Sequence, residues 1–372
     1  MKTLQANINE ALFGGFDTNR AGKNLEVELW TKKHIYVENW NNDEPIKVEY
    51  SLDNQGNIVI TPKERAGVMS LIIDDWNATD SRPLDISKLS KCVKIWINKL
   101  AADNFKGMFA DIIANKTVQI YIDKSKHIKN FEGLENLNVN ELSIDNSQID
   151  SFNFCPSLTA AKDAGVMIDK CKINSFSGFP KVNGIIDIND CTIGDMSGSS
   201  IITQDNISLE NNVYKNGIQN ATIQGQNVNL DGKLKSLSGT TIIAKNDIEL
   251  FNGDSSVNAS AVNFTGFKAQ SDRLYLYGIK FEDCKDLPKL NNYNFKYCEI
   301  QSFEGLPQNI RSLDVQDCHV NLNELDWETI PKVNEFFTWY YNSNTGKNKQ
   351  KTPKDFKAFI EKNKCTRYTN IQ

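Results

Sequence analysis

Gly165-Val166-Met167-Ile168-Asp169-Lys170-Cys171-Lys172-Ile173 is answered twenty residues on by Ile185-Ile186-Asp187-Ile188-Asn189-Asp190-Cys191-Thr192-Ile193. In both, apolar and polar residues alternate, which in a strand places one set on each face and buries one of them. The alternation returns at Glu141-Leu142-Ser143-Ile144, Asn206-Ile207-Ser208-Leu209, Asn227-Val228-Asn229-Leu230 and Asp247-Ile248-Glu249-Leu250. It continues at Arg273-Leu274-Tyr275-Leu276, Asn292-Tyr293-Asn294-Phe295 and Ser312-Leu313-Asp314-Val315. From Leu142 to Leu313 the first apolar positions are spaced by 24, 20, 21, 21, 20, 26, 19 and 20 residues. Random placement would scatter far more widely, so the chain is a repeat array that stacks one short strand above the next.

Four of the copies extend further. Val166-x-Ile168-x-x-Cys171-x-Ile173, Ile186-x-Ile188-x-x-Cys191-x-Ile193, Tyr293-x-Phe295-x-x-Cys298-x-Ile300 and Leu313-x-Val315-x-x-Cys318-x-Val320 fit the second half of the leucine-rich-repeat pattern. A second motif follows at Ser175-Phe176-Ser177-Gly178-Phe179-Pro180 and Ser302-Phe303-Glu304-Gly305-Leu306-Pro307, with weaker copies at Asn130-Phe131-Glu132-Gly133-Leu134 and Ser236-Leu237-Ser238-Gly239. Phe or Leu fills the interior behind the strand, Gly permits a tight bend and Pro blocks a helix. On these residues the chain resembles the irregular leucine-rich repeats of large tailed bacteriophages. The expected fold is mainly β: a leucine-rich-repeat-like solenoid with one parallel sheet, its convex side mostly loops and short turns. Between Asn206 and Gly266 the Cys position is lost and small polar residues dominate. That stretch fits a right-handed parallel β-helix equally well, and this is the alternative architecture.

Four segments are expected: a leader and linker over 1–23, a β-rich N-terminal unit over 24–88, the solenoid over 89–325, and a helical C-terminal cap over 326–372. Strands are predicted at Leu25–Leu29, Ile46–Tyr50 and Ile58–Ile60, with a turn at Asn54-Gln55-Gly56-Asn57. Val93–Ile97 and Val118–Ile122 read as earlier strands of the array. Thr352-Pro353-Lys354-Asp355 is a good helix start, with a hydroxyl N-cap and Pro in the first turn, and Phe356, Phe359 and Ile360 would share one apolar face. Phe336, Phe337, Trp339, Tyr340 and Tyr341 are expected to seal the last coil.

A net charge of -5 argues against coating nucleic acid, which calls for a basic field. No apolar run approaches a membrane span and no secretory signal is read, so neither nucleic acid nor membrane is an expected partner. The eight cysteines include no CxxC pair and read as reduced thiols. Cys171 and Cys191 should stack in adjacent coils about 4.8 Å apart, as should Cys298 and Cys318. His34, His127 and His319 stand alone in the sequence, outside any metal-ligand spacing. With no GxSxG, phosphate-binding loop or dinucleotide fingerprint, no catalytic residue can be named. Neither an enzyme nor a cofactor nor a metal is expected.

The outward strand positions are more informative. They read Ser143 and Asp145, Met167 and Asp169, Asp187 and Asn189, Ser208 and Glu210, Asn229 and Asp231, Glu249 and Phe251. Stacked coils would gather Asp145, Asp169, Asp187, Glu210, Asp231 and Glu249 into an acidic face suited to a basic protein partner or a hard cation. Further on, the face turns to Arg273, Tyr275, Tyr277, Lys296 and Tyr297, residue types that anchor protein interfaces and also stack on carbohydrate. At the N-terminus Leu4, Ile8, Ala11 and Leu12 fall at helical spacing. This stretch resembles the capsid-targeting leaders of phage internal head proteins, which are cut after an (Ile/Leu)-x-Glu triplet. The resemblance implies processing after Ile8-Asn9-Glu10, before Ala11. The expected function is that of a non-enzymatic phage protein, in the host cytoplasm during infection or in the virion, that binds another macromolecule through a solenoid face. The alternatives are a host-directed protein-interaction module, and a carbohydrate-active β-helix with a cleft of two carboxylates near Tyr275 or Tyr277.

Overall fold

The computed structural model describes residues 34–41, 44–64, 67–76, 82–110, 116–158, 165–253, 259–320, 325, 329–340 and 367–368. Two compact units divide the chain, Met1–Ala160 and Ala161–Gln372. The leader over 1–23, the strand expected at 25–29 and the helix expected from Thr352 lie outside the described residues.

In the second unit the expected repeat positions become one parallel ladder. Val166 pairs with Ile186, Ile186 with Ile207, Ile207 with Val228 and Val228 with Ile248. Leu274, Tyr293 and Leu313 continue in the same register. These side chains and their partners two residues on, from Ile168 to Val315, are at most 1% exposed. Burying each such residue contributes roughly 1.5–3 kcal/mol, so the inward file is the unit's core. The chain forms a parallel β-solenoid.

The coils are richer in strands than the single-sheet leucine-rich design. Lys172–Ser175 runs parallel to Thr192–Asp195. Ser200–Ile202, Thr222–Gly225, Thr241–Ala244 and Lys268–Gln270 stack as a further ladder. Ser260–Ala261, Ile279–Phe281, Glu299–Ile300 and His319–Val320 form another. The convex side is therefore laddered rather than looped, which is the β-helix alternative. The reason is local: Ile201, Ile223 and Ile242 bury fully while the residues on either side of each stay at least partly exposed.

Coil corners repeat one device. A residue with positive φ turns the chain, as at Lys170 (φ 50°), Asp190 (52°), Asn211 (54°), Tyr297 (54°) and Asp317 (50°). The next side chain points inward and accepts the buried N–H of its counterpart one coil earlier. Cys171 N–H donates to Cys191 Sγ at 3.3 Å, Cys191 N–H to Asn212 Oδ1 at 2.8 Å, and Cys298 N–H to Cys318 Sγ at 3.4 Å. The thiols thus lie in adjacent coils as expected, and Cys155, Cys171, Cys191, Cys284, Cys298 and Cys318 are all free. Serines do the same work in the first unit, where Leu100 N–H reaches Ser125 Oγ at 3.1 Å and Ser125 N–H reaches Ser147 Oγ at 3.0 Å.

The Phe-x-Gly motif is the opposite bend. Ser302 Oγ accepts the N–H of Glu304 at 3.0 Å, and Leu306 N–H closes the turn on Phe303 O at 3.1 Å. Gly305 has φ +104°, and a Cβ there would lie 2.4 Å from Lys285 Cα in the coil before. Glycine is required by both conformation and contact.

In the first unit Val68–Asp74, Cys92–Asn98, Thr117–Asp123 and Asn138–Asp145 form a parallel ladder. It begins inside the stretch assigned to the N-terminal unit, so residue 88 is not a break. Ile35–Asn39 lies antiparallel to Val68–Asp74, and Val48–Leu52 forms the expected hairpin with Ile58–Pro62. Behind the sheet, Phe105, Phe131 and Phe152 stack with centroids 5.8 and 5.5 Å apart. At the other end, Lys332–Tyr340 is a strand that pairs parallel with Asn309–Gln316, and Arg367–Tyr368 pairs with it in turn. The helical cap expected from 326 is thus replaced by sheet over 332–340, because Phe, Thr, Trp and Tyr there suit a strand.

Asn212 tests the corner device, since its amide also donates to Ile188 O at 2.7 Å. Asn212→Ala orphans two buried backbone groups and should lower stability by about 2–4 kcal/mol, at roughly 1–3 each. Urea unfolding should show a lower midpoint at unchanged slope; a loss under about 0.5 kcal/mol would contradict the device.

Candidate functional site

The outward positions of the second unit's main ladder form two files. The first runs Met167, Asp187, Ser208, Asn229, Glu249, Tyr275, Asn294 and Asp314. The second begins Asp169, Asn189, Glu210 and, past an irregularity between Leu209 and Asn212, continues Asp231, Phe251, Tyr277, Lys296 and Gln316. Five of the six expected acids meet on this face. Asp145 belongs to the first unit, where it is in register with Asp123.

The acids are not simply stacked. Asp187 sits between Met167 and Ser208, Glu249 between Asn229 and Tyr275, and Glu210 beside Asn189, so like charges meet on diagonals. Directly opposed carboxylates would repel more strongly. Glu210 Oε1 accepts hydrogen bonds from Ser208 Oγ at 2.6 Å and Asn229 Nδ2 at 3.0 Å. Even so, partial burial raises Asp187, Asp231 and Glu249 above the ordinary carboxylate range. The Glu210 charge adds to each, with Asp169 adding at Asp187 and Asp247 at Glu249. Among the described residues no lysine or arginine pairs with Asp187, Glu210, Asp231 or Glu249.

The face then changes as the sequence suggested. Phe251 stacks on Tyr277 with centroids 3.9 Å apart, and Tyr275 lies 6.3 Å from Tyr277. The Arg273 guanidinium lies 5.4 Å from the Tyr275 ring and donates to its hydroxyl. Lys296 Nζ stands 5.9 Å from the Tyr277 ring and 5.2 Å from that of Tyr297, which occupies a coil corner. Burial, with Glu249 nearby, pushes the Tyr277 phenol up to about 12.

Beside these rings lies a groove of about 630 Å³ that takes its walls from five strands, with Asp247, Arg273, Asn292, Asn294, Arg311, Asp314 and Glu335 among them. The sequence reading missed it. Asp247, Arg273 and Asn292 each open their repeat and could have been aligned as a file of their own. A second place went unseen in the first unit, where Trp40, Trp96 and Tyr121 stack at 6.4 and 4.3 Å and Lys94 Nζ lies 3.1 Å from the Trp40 centroid.

Other candidates settle into the framework. His127 is not alone: Nε2 lies 2.7 Å from Asp150 and Nδ1 3.4 Å from Asp103. Burial pushes the Cys155, Cys284 and Cys318 thiols up, away from the reactive thiolate. Among the described residues no group of three or more His, Cys, Asp or Glu is arranged to hold a metal ion, and no helix is long and apolar enough to cross a membrane. The processing triplet Ile8, Glu10 and Ala11 lies outside the described residues. No protein-family model, curated protein or solved structure matches the chain.

The raised carboxylates set a pH dependence. A folded-state pKa above the unfolded value means that the folded chain holds the proton more tightly. The associated stability is therefore full below the unfolded pKa, about pH 4, and is lost as pH rises through the raised values. Asp187→Asn with Glu249→Gln should thus stabilise the protein at pH 7 by roughly a few tenths to 1 kcal/mol, discounted for partial exposure. The gain should vanish near pH 3, at about the level where both wild-type acids are protonated. Urea midpoints at the two pH values check this, and equal stability of variant and wild type at pH 7 would contradict it.

Proposed function

We propose that the second unit is a recognition module, binding rather than transforming its target, whose acidic file receives a basic segment of a protein partner. One observation carries the reading: Asp187, Asp231 and Glu249 share one face around Glu210, partly desolvated, with raised pKa values and no paired cation among the described residues. A fold that needed only solubility could scatter these charges at no electrostatic cost. A docking cation relieves the repulsion, and in a half-buried setting that attraction exceeds the roughly 1 kcal/mol of an exposed pair.

A heptalysine peptide, titrated calorimetrically against the full chain, tests the reading. Binding should weaken about tenfold, 1.4 kcal/mol, in Asp187→Asn combined with Asp231→Asn. It should also fall steeply between low and physiological salt. Equal affinity for variant and wild type, or no binding at low salt, would overturn it.

The setting we propose is a tailed-phage particle, on the resemblance of the repeat to phage leucine-rich repeats and of Ile8-Asn9-Glu10 to the triplet cut by prohead proteases. Mass spectrometry of purified particles should find the chain beginning at Ala11. An intact Met1 on the packaged protein, or a particle lacking it, would contradict the proposal.

A further inference from the structure

The groove beside Tyr275 differs in chemistry from the acidic file. Its polar lining carries both signs of charge: Arg273 and Arg311 stand among Asp247, Asp272, Asp314 and Glu335, with side-chain amides between them. Part of this polarity is spent internally. Arg311 Nε donates to Glu335 Oε2 at 2.5 Å, Ser312 Oγ to Asn292 Oδ1 at 2.9 Å, and Asn294 Nδ2 to Asp314 Oδ2 at 3.1 Å.

Asn294 carries an acceptor that these bonds leave over. Asn294 is 9% exposed and lines the groove, yet its Oδ1 is enclosed without a hydrogen-bond donor. A buried acceptor without a donor costs about 1–3 kcal/mol, and a ligand hydroxyl met by a small turn of the amide would remove that cost.

The lining also excludes ligand classes. Four carboxylates outnumber two guanidiniums and disfavour a phosphate or an acidic peptide, no three acids among the described residues are arranged to hold a compact metal cation, and an apolar ligand would strand the polar groups. What remains is a neutral molecule dense in hydroxyls, each able to donate to a carboxylate or amide oxygen and accept from a guanidinium or amide N–H. The neighbouring rings complete the description. The planes of Tyr275 and Tyr277 lie within 14° of parallel, and Phe251 stacks on Tyr277 within 10°. Such a platform suits the C–H face of a sugar ring, amphipathic in the same way as the groove and its rim. We infer that this groove is a binding site for a neutral saccharide, with Asn294, Arg273 and Arg311 contacting hydroxyls and Tyr275 stacking on a ring.

The inference stands apart from the acidic file, and its test separates the two. The full chain is applied to a glycan array of neutral and acidic oligosaccharides, and the affinity of retained neutral members is measured by calorimetry. Tyr275→Ala and Arg311→Ala should each weaken binding at least about tenfold while leaving the urea midpoint close to wild type. Asp187→Asn with Asp231→Asn, which should weaken heptalysine binding about tenfold, should leave saccharide binding unchanged. Asn294→Leu, which removes the orphaned acceptor, should lose saccharide binding without losing stability. Retention of no oligosaccharide, retention of acidic ones alone, or equal binding by wild type and both surface variants would overturn the inference.

Discussion

Every coil is held by the coil beside it, because no single coil buries its own apolar side. Val166, Ile186, Ile207 and Val228 gain their burial only when each lies in register on its neighbour. A slip of one residue would turn that file towards solvent and bring Asp187 and Ser208 inward. The corner ladder opposes such a slip. Once Cys191 Sγ takes the Cys171 N–H and Asn212 Oδ1 takes that of Cys191, only one alignment leaves no buried donor unmatched. Hydrophobic burial thus supplies the drive to stack, and the polar corner selects the register.

From that register follows the functional surface. A side chain one residue from an inward position must point outward, and its neighbours are the equivalent residues of adjacent coils. Residues distant in sequence, such as Asp187 and Glu249, or Asp247 and Asp314, become members of one face. The solenoid lets composition change along its length without altering the backbone. Acidic side chains occupy the coils from Asp169 to Glu249, and rings with cations occupy those from Phe251 to Lys296. Two different recognition chemistries are compatible with one repeat for this reason.

Much of this was legible in the sequence because a half-buried strand writes a period of two and a stack repeats it. Leu142, Val166, Ile186 and their successors could be found by counting. Cys171 and Cys191 could be placed together because both stand three residues after a strand's second apolar position. The additional ladders were not legible: Ser200–Ile202 and Ser260–Ala261 are two or three residues long, too short for periodicity to register. Val68–Asp74 was missed for the opposite reason, since Met69 to Ile73 are all buried and show no alternation. Phe-x-Gly turns were undercounted because no strict period links them. Asn104 in Asn104-Phe105-Lys106-Gly107 and Asn263 in Asn263-Phe264-Thr265-Gly266 cap the bend equally well, accepting N–H from Lys106 at 3.2 Å and Thr265 at 2.9 Å. The groove stayed hidden because Asn294 and Asp314 are polar residues between apolar ones, unremarkable until register sets them side by side.

The register itself can be measured. Asp187 and Ser208 are direct partners on adjacent coils, about 4.8 Å apart, within the reach of a disulfide. Asp187 and Asn229 share the face but are separated by one more coil, about twice that distance. Cysteine pairs at these positions, mildly oxidised and mapped by peptide mass spectrometry, decide the matter while the native buried thiols stay protected. The stack predicts a cross-link in Asp187→Cys/Ser208→Cys and almost none in Asp187→Cys/Asn229→Cys. Equal cross-linking in the two pairs, or linkage only in the second, would contradict the in-register face on which both binding proposals stand.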